Sequence, residues 1–124
     1  MPISFYYDRE KEALYGTMTG QITEDEFQAS LQEILQSDQF PPDTRTLWDL
    51  RELDFKTIDS LMEKRLINIR REYPERGRAR LAFIVAGDLA FGMGRMYEIL
   101  SEDLPQEIRI FRKYSEGENW LLGQ

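Results

Sequence analysis

Apolar residues recur along the chain with two different periods, and the alternation between these periods predicts the secondary structure. Residues 3–8 and 13–19 are rich in β-branched and aromatic side chains, and the polar turn between them predicts an antiparallel β-hairpin. Three more strands are predicted downstream. One of them, residues 80–86, contains a continuous apolar run, which is typical of a strand buried on both faces of a parallel sheet. The other two are residues 45–50 and 107–112.

Segments with apolar residues three and four positions apart separate these strands and predict four helices. The first helix begins after Thr23, because Thr23 and Glu26 have the spacing of a capping box. It ends before the prolines at 41–42. The second helix spans residues 57–73 and the third residues 88–102, and a short fourth helix opens with a second capping box at Ser115 and Glu118. The predicted N-caps of these three helices are Thr57, Asp88 and Ser115.

The order β-β-α-β-α-β-α-β-α predicts an α/β fold with a mixed, mostly parallel five-stranded sheet and about four helices. Right-handed crossovers are expected for the parallel connections. The length of 124 residues suits one domain, and no linker or internal repeat divides the chain. We therefore assign a single domain to residues 1–124.

The composition narrows the available chemistry. The chain contains no cysteine and no histidine, which excludes thiolate nucleophiles, Ser-His-Asp and Cys-His arrangements, and thiolate or imidazole zinc sites. We expect a non-catalytic protein with no resident metal or cofactor. A net charge of −7 argues against nucleic acid as a partner. The N-terminus lacks a basic region followed by an apolar stretch, so we expect no secretory signal and a cytoplasmic location.

Positive charge is concentrated in residues 64–80, which hold seven basic and two acidic side chains. Cations at a helix C-terminus interact favourably with the helix dipole, so a solvated helix end is the simpler interpretation. The alternative is a patch that binds an anion or an anionic membrane. The candidate residues of that patch are Arg70, Arg71, Arg76 and Arg78.

Methionine and aromatic side chains are concentrated on the second and third predicted helices. Such side chains most often pack in the core, and we favour that interpretation. They also form adaptable surfaces for apolar ligands. The candidate residues for an apolar-ligand site are Met62, Leu66, Phe91, Met93, Met96 and Tyr97.

Asp49 is the acidic residue within a predicted apolar strand. Sites in α/β proteins gather at the carboxyl ends of parallel strands, and burial would raise the pKa of such a carboxyl toward that of a general base. A simpler explanation is an ion pair with Arg51 or Arg80, or hydrogen bonds from the following loop. We favour the simpler explanation because no second catalytic group is evident from the spacing.

Gly92 and Gly94 lie just after the apolar strand at residues 80–86. The segment matches neither G-x-G-x-x-G nor a Gly-Lys-Ser/Thr loop, and Asp88 would place a negative charge where a phosphate binds. Close helix packing at the two glycines is therefore favoured over a nucleotide loop.

Several segments, taken in order, resemble the SpoIIAA-like family within the wider group of STAS domains. Together they extend over nearly the whole chain, and their order and spacing are more specific than any one motif. The segments are 16–26 (GTMTGQITEDE), 47–51 (LWDLR), 82–85 with 90–97 (AFIV with AFGMGRMY), and 110–111 with 120–121 (IF with WL).

The resemblance implies a sequential βα superhelix, in which the strands follow sequence order and the helices pack chiefly on one side. STAS domains are mostly non-catalytic, and some are anti-sigma-factor antagonists switched by phosphorylation of an Asp-Ser-Ser-Gly motif at the start of the second helix. That motif is absent from residues 54–61, where Thr57 and Ser60 are the only hydroxyls, so the switch does not carry over. The SpoIIAA-like branch is associated with apolar ligands and with membrane contact through mobile helices.

Three hypotheses follow. The first is a binding module for an apolar ligand or an anionic membrane surface. The second is a protein-interaction regulator of the anti-sigma-antagonist type that lacks the phosphoserine motif. The third, ranked last, is a carboxylate-based enzyme centred on Asp49. A homodimer is also expected on general grounds, because small α/β domains often pair.

Overall fold

The structure is a computed structural model that describes residues 2–123. Within that range it contains five strands, four α-helices and two 3-10 turns, at Phe55–Thr57 and Pro74–Arg76. In chain order the strands and α-helices are β1 Ile3–Asp8, β2 Ala13–Gly20, α1 Glu24–Gln36, β3 Thr46–Leu53, α2 Ser60–Arg71, β4 Arg80–Ile84, α3 Asp88–Leu100, β5 Glu107–Phe111 and α4 Tyr114–Leu122.

The strands lie side by side in the order β1-β2-β3-β4-β5. β1 and β2 pair antiparallel, and every later pair is parallel. The predicted α/β fold, with a mixed and mostly parallel five-stranded sheet, four helices and sequential strand order, is thereby confirmed. No helix within residues 2–123 is long and apolar enough to cross a bilayer.

The helices are divided unevenly between the two faces of the sheet. Because side chains alternate along a strand, Trp48 joins the core beneath α1, α2 and α3, whereas its neighbour Leu47 packs with Leu121 of α4. We call these the three-helix face and the α4 face. On the first, α1 contacts β1, α3 contacts β5, and α2 contacts both α1 and α3. On the second, α4 crosses β3, β4 and β5.

A row of aligned positions crosses the middle of the three-helix face. Phe5 pairs with Gly16, Gly16 with Trp48, Trp48 with Phe83, and Phe83 with Ile110. Gly16 has no side chain because the Trp48 ring lies over it, and a Cβ at that position would overlap the ring. The row therefore places one large indole in the centre of the sheet, and the glycine beside it leaves space for the ring.

Helix α1 begins as predicted. The Thr23 side chain accepts a hydrogen bond from the Glu26 N–H at 3.1 Å, and the Glu26 carboxylate accepts one from the Thr23 N–H at 2.9 Å. This reciprocal pair satisfies two of the N–H groups that a helix leaves free at its start. The capping box read from local spacing is thereby confirmed.

The other three predicted N-caps are wrong. Helix α2 is capped by Asp59, which accepts from the Met62 N–H at 2.8 Å, because a 3-10 turn occupies the region around Thr57. Gly87, with φ of 89°, precedes α3, so Asp88 is its first helical residue. Helix α4 already begins at Tyr114 with no side-chain cap, and the predicted cap Ser115 lies inside its first turn.

Strand β3 is longer than predicted at its C-terminal end. Its last residues pair with β2, with Glu52 opposite Thr19 and Leu53 opposite Gly20, after a shift in register following Thr17. The sequence there is mostly polar, so composition did not predict a strand. Strand β3 extends this far because its last residues pair with the neighbouring strand β2.

The two glycines of α3 differ. Gly94 faces the sheet, and a Cβ there would lie 3.1 Å from Ile110 Cγ2. Gly92 is exposed and would meet nothing within 4 Å. Close packing was predicted at both positions and holds at Gly94 alone.

Candidate functional site

A cavity of about 100 Å³ lies between the sheet and the three helices. Its floor includes Met18, Trp48 and Phe83 from three adjacent strands. Helices α1, α2 and α3 form the walls, and the segment between β3 and α2 contributes Phe55 and Ile58. The lining is mostly apolar, with a few buried polar side chains.

The six residues predicted for an apolar-ligand site are only partly together. Leu66, Met93 and Tyr97 line the cavity. Met62 and Phe91 are half-buried and pack against the core around it. Met96 lies on the outer surface of α3 with 47% of its area exposed.

Glu63 is a carboxylate on the cavity wall and is only 6% exposed. Within residues 2–123 its side chain accepts no hydrogen bond and forms no ion pair. Burial raises the pKa of Glu63 from 4.5 to about 7, and burial is the sole cause. Near neutral pH the site therefore holds a carboxyl group poised between its neutral and charged forms.

Arg70 and Arg76 are also buried, at 8% and 5% exposure, and both line the cavity. The Arg76 guanidinium donates to the carbonyls of Pro42 and Thr44 at 2.8 and 3.1 Å and to the Thr46 hydroxyl at 3.0 Å. Burial lowers the pKa of Arg76 to about 10, and the positive charge of Arg70 contributes. The hydrogen-bond acceptors around the Arg76 cation are thus uncharged carbonyl and hydroxyl oxygens.

The Arg70 guanidinium is held on one side only. Its Nη2 donates to Gln106 Oε1 at 2.9 Å, and Gln106 in turn donates to the Gly77 carbonyl at 2.7 Å. The guanidinium lies 5.4 Å from the centre of the Tyr97 ring. Arg70 Nη1 is buried and has no hydrogen-bond partner among the described residues.

The four arginines predicted as an anion or membrane patch do not form one surface. Arg71 is exposed and bonded to Asp103, with one hydrogen bond of 3.1 Å, and Arg78 is exposed. Arg70 and Arg76 instead point inward, because they occupy inner positions of α2 and of the following turn. The four arginines are therefore divided between the interior and the surface.

Sequence reasoning missed Glu63 because it placed the inner face of α2 on apolar residues alone. The buried positions of α2 are Glu63, Leu66, Ile67 and Arg70, which follow helical spacing. Leu61, an apolar residue of the same helix, is exposed. Extending the helical period from Leu66 and Ile67 in both directions would have found the two charged residues.

Asp49 lies on the α4 face, away from the cavity, in an open cleft beside Tyr15 and Tyr114. Arg51 donates to it twice, at 2.9 and 2.8 Å, and the Arg51 N–H donates at 3.2 Å. These bonds hold the pKa of Asp49 below its usual value. A paired carboxylate with a lowered pKa is a weak general base, so the ion-pair interpretation is the one that the geometry matches.

A second cluster of charged and polar side chains lies on the same face, next to α4. The Tyr15 hydroxyl donates to Glu118 at 2.6 Å, and Lys11 lies 3.1 Å from the same oxygen. Burial, with the neighbouring Glu118, raises the pKa of Tyr15, so its hydroxyl stays protonated and donates. The polar groups of this cluster satisfy one another.

Metal binding finds no support in the described part of the chain, where no group of three or more acidic side chains is placed to hold an ion. Two acidic side chains near the start of α2 accept hydrogen bonds from backbone N–H groups. Asp54 accepts from the Lys56 N–H at 3.1 Å, and Asp59 caps α2.

Comparison with solved structures identifies the architecture. An uncharacterized protein of the DUF3478 family with a SpoIIAA-like fold, from Shewanella loihica PV-4, matches 96% of this chain and 93% of its own, with a TM-score of 0.66 and 20% identity. The fold of the chain is SpoIIAA-like. No protein-family model and no curated protein matches the sequence. The resemblance inferred from the sequence is thereby confirmed as a likeness of fold.

Proposed function

We propose that the protein is a non-catalytic module that binds a small apolar ligand in the cavity beneath α1, α2 and α3. The observation that supports this most is the cavity itself, a mostly apolar space between the sheet and three helices that is partly open to solvent. Protein interiors are normally packed to crystal-like density, so such a space forfeits contacts that a ligand would restore.

The size of the space limits the ligand. A cavity of about 150 Å³ lined by apolar side chains stays dry and binds benzene. The present cavity of about 100 Å³ therefore suits the apolar part of a small molecule. The cavity opens to solvent, so the rest of a longer molecule can lie outside it.

The two tryptophans offer a direct test, because there is one on each face of the sheet. Trp48 lines the cavity, whereas Trp120 lies on the α4 face 5.8 Å from Phe111. With n-hexanol as the probe, Trp120→Phe should keep a saturable change in emission, which then comes from Trp48. Trp48→Phe should lose that signal, while calorimetry of the same variant shows whether n-hexanol still binds.

Native mass spectrometry of the freshly purified protein should come before this titration. Extra mass that is released on denaturation would identify a bound ligand. A clean mass, together with no saturable n-hexanol signal in the Trp120→Phe variant, would contradict the proposal.

A second candidate function, contact with an anionic membrane surface, is supported by the outer surface of α2 and α3. Leu89, Met96 and Ile99 are exposed on α3. Lys64 and Arg65 are exposed on the adjoining α2. Apolar side chains beside cations suit the interface of a bilayer that contains anionic lipid.

Vesicles of phosphatidylserine and phosphatidylcholine test this candidate. Met96→Glu should reduce sedimentation with the vesicles several-fold, and added salt should weaken binding of the unchanged protein. Tyr6→Glu is the matched control, since Tyr6 is exposed on the opposite face of the sheet. Equal binding by the two variants would remove the three-helix face as a membrane surface.

A protein-interaction regulator is the competing function. Its expected surface, the start of α2, is open, because Thr57 and Ser60 are exposed. A partner that Thr57→Ala/Ser60→Ala loses in a pull-down, and that Met96→Glu keeps, would favour regulation over membrane contact.

A further inference from the structure

We infer that the ligand of the cavity is a small apolar carboxylate, whose carboxylate group accepts a hydrogen bond from the Arg70 guanidinium. This inference rests on the proposed function and adds the chemical class of the ligand. It follows from the state of Arg70 and from the charges around it.

The Arg70 guanidinium lacks an acceptor where one is expected. Gln106 holds Nη2, and the Tyr97 ring covers the cation at 5.4 Å, while Nη1 is buried without a partner among residues 2–123. A buried donor that is left unsatisfied costs free energy, and more so when the group is charged. A carboxylate at the Arg70 wall of the cavity would provide the missing acceptor.

The charges at this end of the cavity favour an anion. Arg70 and Arg76 both line the cavity and interact closely enough for the positive charge of Arg70 to lower the pKa of Arg76. Neither forms an ion pair within the described chain. Arg76 donates only to uncharged oxygens, although Asp43 is near enough to act on its charge, and Arg70 donates to the Gln106 amide. Two neighbouring buried cations without a paired carboxylate produce a positive potential that a monoanion would reduce.

The carboxylate already in the cavity does not neutralise Arg70. Glu63 lies about two helical turns before Arg70 on the same face of α2, and burial alone raises its pKa. A cation acting on Glu63 would favour its charged form, and no such effect is present. The cavity thus has a cationic end at Arg70, with Glu63 at a distance along α2 and mostly apolar side chains elsewhere, which matches an acid with a short hydrocarbon chain.

A carboxylate fits better than a phosphate. A phosphate group brings more charge and more acceptor oxygens, whereas Arg70 offers one unpaired nitrogen in a small, mostly apolar space. A carboxylate that accepts from the one unpaired nitrogen of Arg70 leaves fewer buried polar atoms without a partner than a phosphate would.

Calorimetric titration with hexanoate and n-hexanol tests the inference, since the two probes have the same chain length and differ in the headgroup. The unchanged protein should bind hexanoate about tenfold more tightly than n-hexanol, as expected for one charge-assisted hydrogen bond. Arg70→Met should lose this preference and still bind n-hexanol. Arg71→Met is the matched control, because it removes the same charge from the adjacent exposed position, and it should keep the preference.

If Arg70→Met does not fold, a measurement on the unchanged protein still tests the inference. The NMR signals of the Arg70 guanidinium should shift clearly more on addition of hexanoate than on addition of n-hexanol. Equal affinity for both probes, or a preference that survives Arg70→Met, would overturn the carboxylate and leave the apolar-ligand function standing. If neither probe binds, the apolar-ligand function fails and the carboxylate with it.

Discussion

The charged side chains on the two faces of the sheet differ in burial and in whether they have partners. On the three-helix face, Glu63 and Arg70 are buried beside a cavity. Among residues 2–123, Glu63 has no partner and one nitrogen of Arg70 is unpaired. On the α4 face, Glu118 accepts from Tyr15 and lies next to Lys11, near solvent. Both faces are built on the same strands, so the difference comes from the helices that cover them.

Unpaired buried charges are costly to a folded protein, and paired charges at a surface contribute little in either direction. The α4 face therefore has the arrangement expected where stability alone matters. The three-helix face keeps groups that lower stability, which is typical of a site that interacts with something else. Matched residues on the two faces allow this contrast to be measured.

The largest expected effect comes from comparing two glycines at which a Cβ would overlap a side chain, Gly16 of β2 on the three-helix face and Gly117 of α4. Gly16→Ala should lower the free energy of unfolding by about 3 kcal/mol, because the new methyl group overlaps the rigid ring of Trp48. Gly117→Ala should cost about 1 kcal/mol, because its closest contact is the end of the flexible Ile84 side chain, with the Phe111 ring next at 3.2 Å, and because alanine favours a helix.

Urea unfolding of the two variants measures this difference. If Gly16→Ala were as mild as Gly117→Ala, the Trp48 ring would have room to move into the cavity, and the three-helix face would be softer than the structure indicates.

The next effect concerns Glu63. Its folded pKa of about 7 lies above its unfolded value of 4.5, so the folded state holds the proton more tightly. The stability that this proton contributes is complete below the unfolded pKa and is lost as the pH rises through about 7. Glu63→Gln, which cannot ionise, should therefore unfold like the unchanged protein at acid pH and be more stable above neutrality, by about 2 kcal/mol.

Thermal unfolding across this pH range provides the measurement. A Glu63→Gln variant that is less stable than the unchanged protein at alkaline pH would show that the carboxylate has a favourable partner there.

The smallest effect, with the opposite pH dependence, is expected on the α4 face. The hydrogen bond from Tyr15, with Lys11 beside it, holds the pKa of Glu118 below its usual value. A lowered pKa contributes stability above the unfolded pKa, and that stability is lost as the pH falls through the folded value. Glu118→Gln should thus cost less than about 1 kcal/mol at neutral pH, because the pair is near solvent.

The difference between Glu118→Gln and the unchanged protein should disappear in acid, as measured by the same thermal method. A larger loss that persists in acid would mean that the side chain is needed for packing and not for its charge.

Much of the fold could be predicted from local sequence. The element order followed from the two hydrophobic periods, and the start of α1 followed from Thr23 and Glu26, whose capping bonds lie within one turn. The end of β3 could not be found in the same way, since it depends on pairing with Thr19 and Gly20 of another strand. The candidate site was predicted in part, because Leu66, Met93 and Tyr97 line the cavity and Met96 does not.

By itself, the sequence determined the α/β class, the succession of strands and helices, and the absence of thiol and imidazole chemistry. These properties depend on residue type and on spacing along one segment, so they can be read without a structure. The tertiary structure decided that Glu63 and Arg70 face inward and that three helices leave a space above Trp48. Burial of a charged side chain depends on which distant elements pack around it, and no local pattern contains that information.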